Sequence, residues 1–180
     1  TGLVRLRRSA GRNLRRQSPV SEGSEGGCTC GQVRYRLLDA PIVVHCCHCR
    51  WCQRETGSAF ALNAVIEADR VELIGETVPE RIETPSLSGK GQAILRCPTC
   101  KVALWSHYSG AGDKADYLRV GTLDNPDAFP PNVHIFTSSK QPWVALPERA
   151  EQYEVFYSGK DVVRIYGANA AARWKVLRSG

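Results

Sequence analysis

The placement of cysteine constrains this chain more than any other sequence feature. Eight cysteines fall into three short clusters, which are Cys28 and Cys30, then Cys46, Cys47, Cys49 and Cys52, then Cys97 and Cys100. The first 30 residues lack the apolar centre of a secretory signal, so the expected compartment is the cytoplasm, where thiols stay reduced. Clusters of this kind are typical of zinc ligands rather than of disulfides.

The first and third clusters each supply half of a metal cage. Cys28-Thr-Cys30 and Cys97-Pro-Thr-Cys100 are turns in which two sulfurs can point at one centre, and a structural zinc ion needs four such ligands in a tetrahedral arrangement. About 70 residues separate the two turns. We therefore predict one closed site that pins an early strand to a late one and serves structure alone.

The middle cluster admits two interpretations. In an extended strand, successive side chains point to opposite faces, so Cys46 and Cys47 are not expected to bind the same ion. This favours an open set of Cys47, Cys49 and Cys52, with Cys46 as a small buried apolar residue. Three protein ligands leave a vacant coordination position, as in catalytic zinc sites. The alternative, in which all four cysteines close a second structural site, stays open.

Length and charge narrow the class of protein. The chain has 180 residues, 42% of them hydrophobic, which suits one domain with a core. The net charge of +6 comes from six arginines within residues 1–21, and without them the 18 remaining Lys and Arg equal the 18 Asp and Glu. A nucleic-acid-binding face is therefore not expected. We interpret residues 1–25 as a disordered arginine-rich leader, whether native, added for expression or a targeting peptide.

After Gly26 and Gly27 the pattern is one of short strands separated by Gly, Pro, Asn and Asp. Strands are predicted at 32–38, 42–45, 58–66, 71–74, 80–84, 92–96, 102–107, 117–120 and 133–136, and helices at 50–55 and 168–177. Residues 148–157 fit either a short helix or a surface strand. No apolar run reaches the length of about 20 residues that crosses a bilayer. These signals predict a mostly β, antiparallel domain with its metal turns at strand ends.

Several motifs together resemble one known family. They are Gly26-Gly-Cys-Thr-Cys-Gly-Gln-Val-Arg-Tyr35, Cys47-His-Cys-Arg-Trp-Cys52, Thr56-Gly-Ser-Ala-Phe60, Cys97-Pro-Thr-Cys100, Gly121-Thr-Leu-Asp-Asn-Pro126, and His134-Ile-Phe136 with Trp143. The chain is similar over about residues 26–145 to the glutathione-dependent formaldehyde-activating enzymes, a family that also includes centromere protein V. The resemblance implies one zinc-binding domain at 26–145 and a C-terminal extension at 146–180 that packs on the domain or trails it.

The same resemblance carries expectations about fold and chemistry. It implies a single Mss4-like antiparallel β domain with two zinc ions. Cys28, Cys30, Cys97 and Cys100 would hold the structural ion, and Cys47, Cys49 and Cys52 the catalytic one. The implied activity is condensation of glutathione with formaldehyde to S-hydroxymethylglutathione, formally a carbon-sulfur lyase running in the synthetic direction. Two alternatives are a related enzyme with another thiol or aldehyde, and a non-catalytic interaction module of the centromere protein V type.

Charge at the open site favours a thiol substrate. Three thiolates on a zinc dication give a net charge of −1. Such an ion activates water weakly but still lowers the pKa of an incoming thiol. Glutathione has two carboxylates, and Arg50 and Arg54 are candidates to bind them because they are close in sequence.

Other polar and aromatic residues receive separate interpretations. His48 is expected to be solvated or, in the alternative, a proton donor, and His45 is a reserve ligand on the face of Cys47. His107 and His134 are expected to be hydrogen-bonded structural histidines. Trp51 is predicted to wall the metal pocket. Trp105 and Trp143 are predicted to lie in the core.

Overall fold

The computed structural model describes residues 23–179, which contain eleven strands and three α-helices. The arginine-rich segment predicted as a disordered leader lies outside this range, apart from its last three residues. The strands are β1 Ser24–Gly27, β2 Arg34–Leu37, β3 Val43–Cys47, β4 Ala61–Glu67, β5 Val71–Leu73, β6 Glu80–Thr84, β7 Gln92–Arg96, β8 Ala103–Tyr108, β9 Gly112–Arg119, β10 Val133–Ile135 and β11 Glu151–Gln152. The helices are α1 Arg50–Thr56, α2 Val162–Tyr166 and α3 Ala168–Ser179.

Two sheets account for the mostly β fold that the sequence predicts. The larger has eight strands in the order β11-β10-β3-β4-β9-β8-β7-β6, and the smaller has three in the order β1-β2-β5. Most neighbours run antiparallel, as predicted. The strand β10, however, pairs in parallel with both β3 and β11, so this edge departs from the antiparallel pattern of the rest of the sheet. Both partners of β10 are far away in the chain, so no hairpin fixes their direction.

The larger sheet has a separate apolar core against each face. Val44, Ala64 and Leu118 are cross-strand neighbours whose side chains share one face. They pack with Tyr35 and Leu37 of the smaller sheet. The alternate residues form the opposite core, which also includes residues of α1 and of the C-terminal segment: Val43, Val65, Cys49, Cys52, Tyr157, Ile165 and Leu177. Strict alternation along β3 therefore separates the molecule into two layers.

The Gly26-Gly27 motif is required by close backbone packing. A Cβ atom on Gly26 would lie 2.5 Å from Tyr35 Oη and 2.6 Å from the carbonyl oxygen of Thr122. The Tyr35 hydroxyl is itself 2.7 Å from Thr122 Oγ1, so the tyrosine cannot retreat without losing this bond. The glycine thus allows β1, β2 and the turn at 120–122 to meet beside Cys28.

Strand boundaries differ from the sequence prediction where turns intervene. The segment predicted as a strand at 58–66 forms one only from Ala61, because Gly57 ends α1 in a left-handed conformation and the chain needs the next residues to turn. The strand predicted at 117–120 is instead the longer β9. Its first half contains Asp113 and Lys114, and such polar residues on an exposed hairpin give no apolar signal.

The C-terminal segment packs on the layer that contains α1. Its region 148–157 forms only the two-residue strand β11, and its predicted last helix is present as α3. Arg173 of α3 donates to both carboxylate oxygens of Glu67 and to the carbonyl oxygen of Ala40. Among residues 23–179, none of the helices is long and apolar enough to cross a membrane.

Candidate metal centres and the adjoining cavity

The sulfurs of Cys28, Cys30, Cys97 and Cys100 gather at one point between the two sheets, all within 4.8 Å of one another. The Sγ atoms of Cys28 and Cys30 are 3.4 Å apart, and that of Cys97 is 3.6 Å from Cys30. Each pair lies in a tight turn. In the first turn the Val33 amide donates to Cys28 Sγ at 3.3 Å, an interaction that favours a thiolate. In the second turn the Val102 amide lowers the pKa of Cys100 to about 6.

A second group contains only three sulfurs. Those of Cys47, Cys49 and Cys52 lie within 4.8 Å of one another, and all three residues are buried. Cys47 ends β3, Cys49 is the N-cap of α1, and Cys52 is in the first turn of that helix. The N-cap position explains the spacing, because the Cys52 amide donates to Cys49 Sγ at 3.3 Å. The capping bond brings the two helix cysteines to the end of the strand.

Hydrogen bonds among the three sulfurs separate their proton affinities. Hydrogen bonds from Cys47 and then Cys52 lower the pKa of Cys49 to about 2. The pKa of Cys47 is raised, chiefly by its hydrogen bond with Cys49 and next by its hydrogen bond with Cys52. Three thiolates packed this closely repel one another unless a proton or a cation lies among them. The group is therefore a strong cation-binding arrangement.

Both groups fit zinc by their donor atoms. Thiolates bind zinc at about 2.3 Å, which puts the sulfurs of a tetrahedral site about 3.8 Å apart, close to the distances found between Cys28, Cys30 and Cys97. The four-sulfur group supplies a complete ligand set. The three-sulfur group supplies one ligand fewer.

Cys46 lies on the other face of the sheet and joins neither group. It is buried, as the sequence predicts, and its Sγ is 3.4 Å from His48 Nε2. His48 Nε2 is also 3.1 Å from His134 Nδ1, and the two rings stack. His134 is the β10 residue directly opposite Cys46. Parallel pairing of distant strands thus creates a Cys-His-His group that no local sequence motif indicates.

The prediction of a solvated His48 is wrong, because the side chain is fully buried. The peptide on either side of it is held in place: the His48 amide donates to the carbonyl oxygen of Ile135, and its own carbonyl accepts from Gln53 and Ser139. The ring therefore points into the layer that contains Cys46. It does not line the cavity beside the three sulfurs, so it is not placed to donate a proton there.

Gln53 braces the three-sulfur loop and was missed by the sequence analysis. Its Nε2 donates to the carbonyl oxygens of His48 at 2.6 Å and Ser139 at 3.0 Å. Its Oε1 accepts from Arg50 and Gln141, each at 2.8 Å. All four bonds are satisfied in a buried position, so the side chain fixes the start of α1 against the segment after β10. A glutamine among charged helix residues gives no sequence signal of this role.

A cavity of about 580 Å³ opens beside the three sulfurs. Cys47, Cys49 and Cys52 form one end, and Trp51 walls it as predicted. The remaining lining comes from the sheet, from the loop between β6 and β7, and from the segments after β10 and β11: His45, Asn63, Ser86, Leu87, Ser88, Tyr108, Ser109, Gly110, Tyr117, Ile135, Phe136, Val155 and Phe156. The four-sulfur group does not touch this cavity.

His45 lies on the same strand face as Cys47 and lines the cavity, but it is not grouped with the three sulfurs. Its Nε2 is 2.6 Å from the Tyr157 hydroxyl, which is 2.5 Å from the hydroxyl of Tyr166. Burial lowers the pKa of His45 to about 4, so the ring is neutral at pH 7. His45, which was expected to be a reserve ligand, instead begins a series of hydrogen bonds that runs through Tyr157 to Tyr166 in the C-terminal segment.

A buried arginine underlies the floor of the cavity. Arg119 is the cross-strand partner of Asn63 and donates to its Oδ1 and to Ser106 Oγ. Because the amide oxygen of Asn63 accepts from Arg119, its nitrogen is the atom left to donate into the cavity. The pKa of Cys52 is lowered by its hydrogen bond with Cys47 and less by the charge of Arg119, but its contact with Cys49 and its burial outweigh both, so the pKa is raised. Sequence analysis gave Arg119 no role, since nothing local to it indicates that it lies beneath the sulfurs.

Two further expectations are corrected by the structure. Arg50 and Arg54 are exposed on α1 and do not line the cavity, because the cysteines occupy the face of this helix that turns inward. Trp143 is 75% exposed rather than in the core, since a turn places Val144 inward instead. Trp105 is buried, and His107 is held by Asp116 at 2.6 Å, both as predicted.

The fold and these two sulfur groups define a class: mostly β proteins with one complete and one incomplete cluster of metal-binding cysteines, the incomplete one at a cavity. The sequence profile of the family described as "Glutathione-dependent formaldehyde-activating enzyme" matches residues 23–139. The chain therefore belongs to this family, and the resemblance inferred from its motifs is confirmed.

Individual relatives are more distant. A curated protein of Halomonas elongata, named "Putative glutathione-dependent formaldehyde-activating enzyme", is 27% identical over 132 residues, which are 71% of this chain and 83% of the relative. A crystal structure of a Rhodobacter sphaeroides protein shares 18% identity and a TM-score of 0.41, and covers 56% of this chain and 87% of its own.

Proposed function

We propose that this protein is a zinc-dependent enzyme that adds a thiol to an aldehyde, formally a carbon-sulfur lyase working in the synthetic direction. Glutathione and formaldehyde, condensing to S-hydroxymethylglutathione, are the pair that the family name indicates, and a similar thiol and aldehyde are included in the proposal. The observation that carries it is the incomplete three-sulfur group at the end of a cavity, whereas the complete four-sulfur group lies on the other face of the sheet and does not line the cavity.

The proposed ligands follow from this difference. Cys28, Cys30, Cys97 and Cys100 would hold a structural ion, and Cys47, Cys49 and Cys52 a second one, giving two zinc ions per chain. When bound at the three sulfurs, zinc would lower the pKa of a thiol that enters from the cavity. Reduced thiols are required at seven ligand positions, which makes the cytoplasm the proposed compartment.

The reaction forms one carbon-sulfur bond. The thiol sulfur adds to the carbonyl carbon, the carbonyl π bond breaks, and the proton lost by sulfur is replaced by one gained on oxygen. Asn63 and Tyr108 line the cavity, and in the proposal the amide nitrogen of Asn63 and the hydroxyl of Tyr108 donate to the oxygen on which negative charge develops. Burial raises the pKa of Tyr108, so its hydroxyl keeps its proton at neutral pH.

A chain of hydrogen-bonded side chains in the same wall of the cavity can supply the proton that the carbonyl oxygen gains. His45 is neutral and hydrogen-bonded to Tyr157, and Tyr157 to Tyr166. A neutral imidazole can give up its ring proton and regain one through the tyrosine hydroxyls without a charged intermediate remaining in the cavity. In the proposal, the family's zinc cysteines activate the thiol, and His45 with Asn63 and Tyr108 serve the carbonyl oxygen.

Cys49→Ser tests this assignment. Serine is a good N-cap, so α1 and the fold are expected to persist, while one of two zinc ions and the acceleration of thiol addition are lost. Two-dimensional exchange NMR of formaldehyde with glutathione and with 2-mercaptoethanol measures the rate directly, because both thiols also add without a catalyst. Unaltered turnover in Cys49→Ser would sink the mechanism. Failure of the zinc-loaded protein to accelerate exchange of any thiol would remove the proposed function.

A further inference from the structure

The cavity at the three-sulfur group is unusual in its lack of charge. Among the residues that the structure describes, those lining it include no Lys, Arg, Asp or Glu. Its side chains are aromatic, aliphatic or neutral polar, and Leu87, Val155 and Phe156 stand at its mouth with 58%, 59% and 51% of their surface exposed. A cavity is lined by groups that match its ligand, so this lining restricts what enters.

Glutathione is a poor match for these walls. It carries two carboxylates and one ammonium group, and charged groups are costly to bury without a charged or hydrogen-bonding partner. Arg50 and Arg54 lie outside the lining, and the guanidinium of Arg119 donates to Asn63 and Ser106 beneath the floor. Three cysteine thiolates with a zinc dication would add a charge of −1, which repels a second anion.

The aromatic wall is built by parts of the chain that converge from far apart. Phe136 has a left-handed backbone with φ of 57°, a rare conformation for a non-glycine residue. Its amide donates to the carbonyl oxygen of Val155 at 2.7 Å. Phe156 follows and stacks on Tyr157, with ring centroids 4.3 Å apart. The C-terminal segment, which begins beyond the family match at residue 139, thus adds an apolar wall to the site.

We propose that the thiol taken by this site is an uncharged one with an aromatic or branched aliphatic group. This inference rests on the proposed function and gives its substrate class. Trp51, Tyr117, Phe136 and Phe156 line the cavity, so an apolar group that packs against them leaves water, and this favours its binding. The reaction itself is unchanged, with sulfur bonding to the aldehyde carbon and the proton passing to oxygen.

A rate comparison tests the proposal in the zinc-loaded full chain. Exchange NMR with formaldehyde is measured for phenylmethanethiol, glutathione and 2-mercaptoethanol, each against its own uncatalysed rate. We expect the acceleration for phenylmethanethiol to exceed that for glutathione on the order of tenfold or more. Acceleration of glutathione equal to or above that of phenylmethanethiol would overturn the inference and leave the proposed function standing. Acceleration of none of the three would remove the proposed function, and this inference with it.

A binding measurement gives a readout that does not depend on turnover. Benzyl alcohol has the same ring without a thiol, and S-methylglutathione has the tripeptide without a free thiol. Titrations followed by saturation-transfer NMR are expected to give a dissociation constant for benzyl alcohol on the order of tenfold below that for S-methylglutathione. Stronger binding of the tripeptide would contradict the proposal.

Leu87→Arg tests whether the uncharged lining sets the choice. Leu87 is exposed at the mouth, in the loop between β6 and β7, so the variant is expected to fold and keep its zinc. The added cation should shift the ratio of accelerations toward glutathione on the order of tenfold. Val78→Arg is the matched control, because Val78 is 69% exposed in the loop between β5 and β6 and does not line the cavity. An unchanged ratio in Leu87→Arg would overturn the proposal.

Discussion

The two sulfur groups lie against opposite faces of one sheet and differ in what surrounds them. Cys28 and Cys97 belong to the core between the two sheets, whereas Cys30 is exposed and Cys100 half-buried. The three-sulfur group is the reverse, with every cysteine buried but with a cavity beside it. Exposure to solvent therefore does not distinguish the group that we propose to be reactive. Its incomplete ligand set and the adjoining cavity distinguish it.

The largest expected difference between the groups concerns stability. Cys97→Ser removes a proposed zinc ligand that would join β7 to the turn after β1, so we expect a loss of more than about 4 kcal/mol in the free energy of unfolding. Cys49→Ser should cost less than about 2 kcal/mol, because the N-cap function survives. Urea unfolding with zinc analysis of both variants checks the contrast. Equal losses would mean that both groups serve structure.

A smaller effect is expected from the loss of Gln53, whose side chain holds the start of α1 against the segment after β10. Gln53→Ala leaves the carbonyl oxygens of His48 and Ser139 with fewer donors, at a cost of about 2 kcal/mol. Its zinc affinity at this group should fall about 10- to 100-fold, while the four-sulfur group keeps its ion. Competition with a chelating dye measures both sites. The control is Arg54→Ala, an exposed change on the same helix. Weaker zinc binding at both groups in Gln53→Ala would contradict the separation.

The smallest effect is expected at the surface beside the four-sulfur group. Arg34 donates to both oxygens of Asp124 and thereby lowers the pKa of that carboxyl group. A lowered folded-state pKa stabilises the protein above the unfolded value of about 3.9, and this contribution disappears as the pH falls through the folded pKa. Because the pair is exposed, Asp124→Asn should cost less than about 1 kcal/mol.

The pH dependence of that variant gives a separate check. The difference in unfolding free energy between the native chain and Asp124→Asn is expected to stay constant from pH 7 to pH 5. It should shrink only below about pH 4. A cost above about 2 kcal/mol would show that surface ion pairs, rather than the sulfurs, hold this end of the molecule together.

Sequence reasoning succeeded where the physical rule acts on neighbouring residues. Alternation along β3 predicted that Cys46 and Cys47 point to opposite faces, and short turns predicted the pairing of cysteines within each cluster. The strands Glu80–Thr84 and Gln92–Arg96 have the predicted bounds because polar and apolar residues alternate or turns flank them closely.

It failed where distant segments meet. The sequence places His48 between two cysteines and therefore predicts a solvated side chain. Only the parallel pairing of β3 with β10 places His134 against it. Arg119 and Gln53 each have a hydrogen-bond partner more than 50 residues away, Asn63 and Ser139 respectively. The apolar wall at Phe156 depends on how the C-terminal segment returns to the sheet, for which a two-residue strand gives almost no sequence signal.

One measurement tests the distinction between a complete and an incomplete ligand set most directly. Cadmium-113 NMR of the cadmium-loaded protein should give two resonances, one for each sulfur group. The titrant is 2-mercaptoethanol, because this small neutral thiol can enter the cavity whether or not larger or charged thiols can. Its addition should shift one resonance and leave the other in place. The resonance that shifts should be absent in Cys49→Ser. If neither resonance responds to the thiol, or if both do, the two groups do not differ as the account requires.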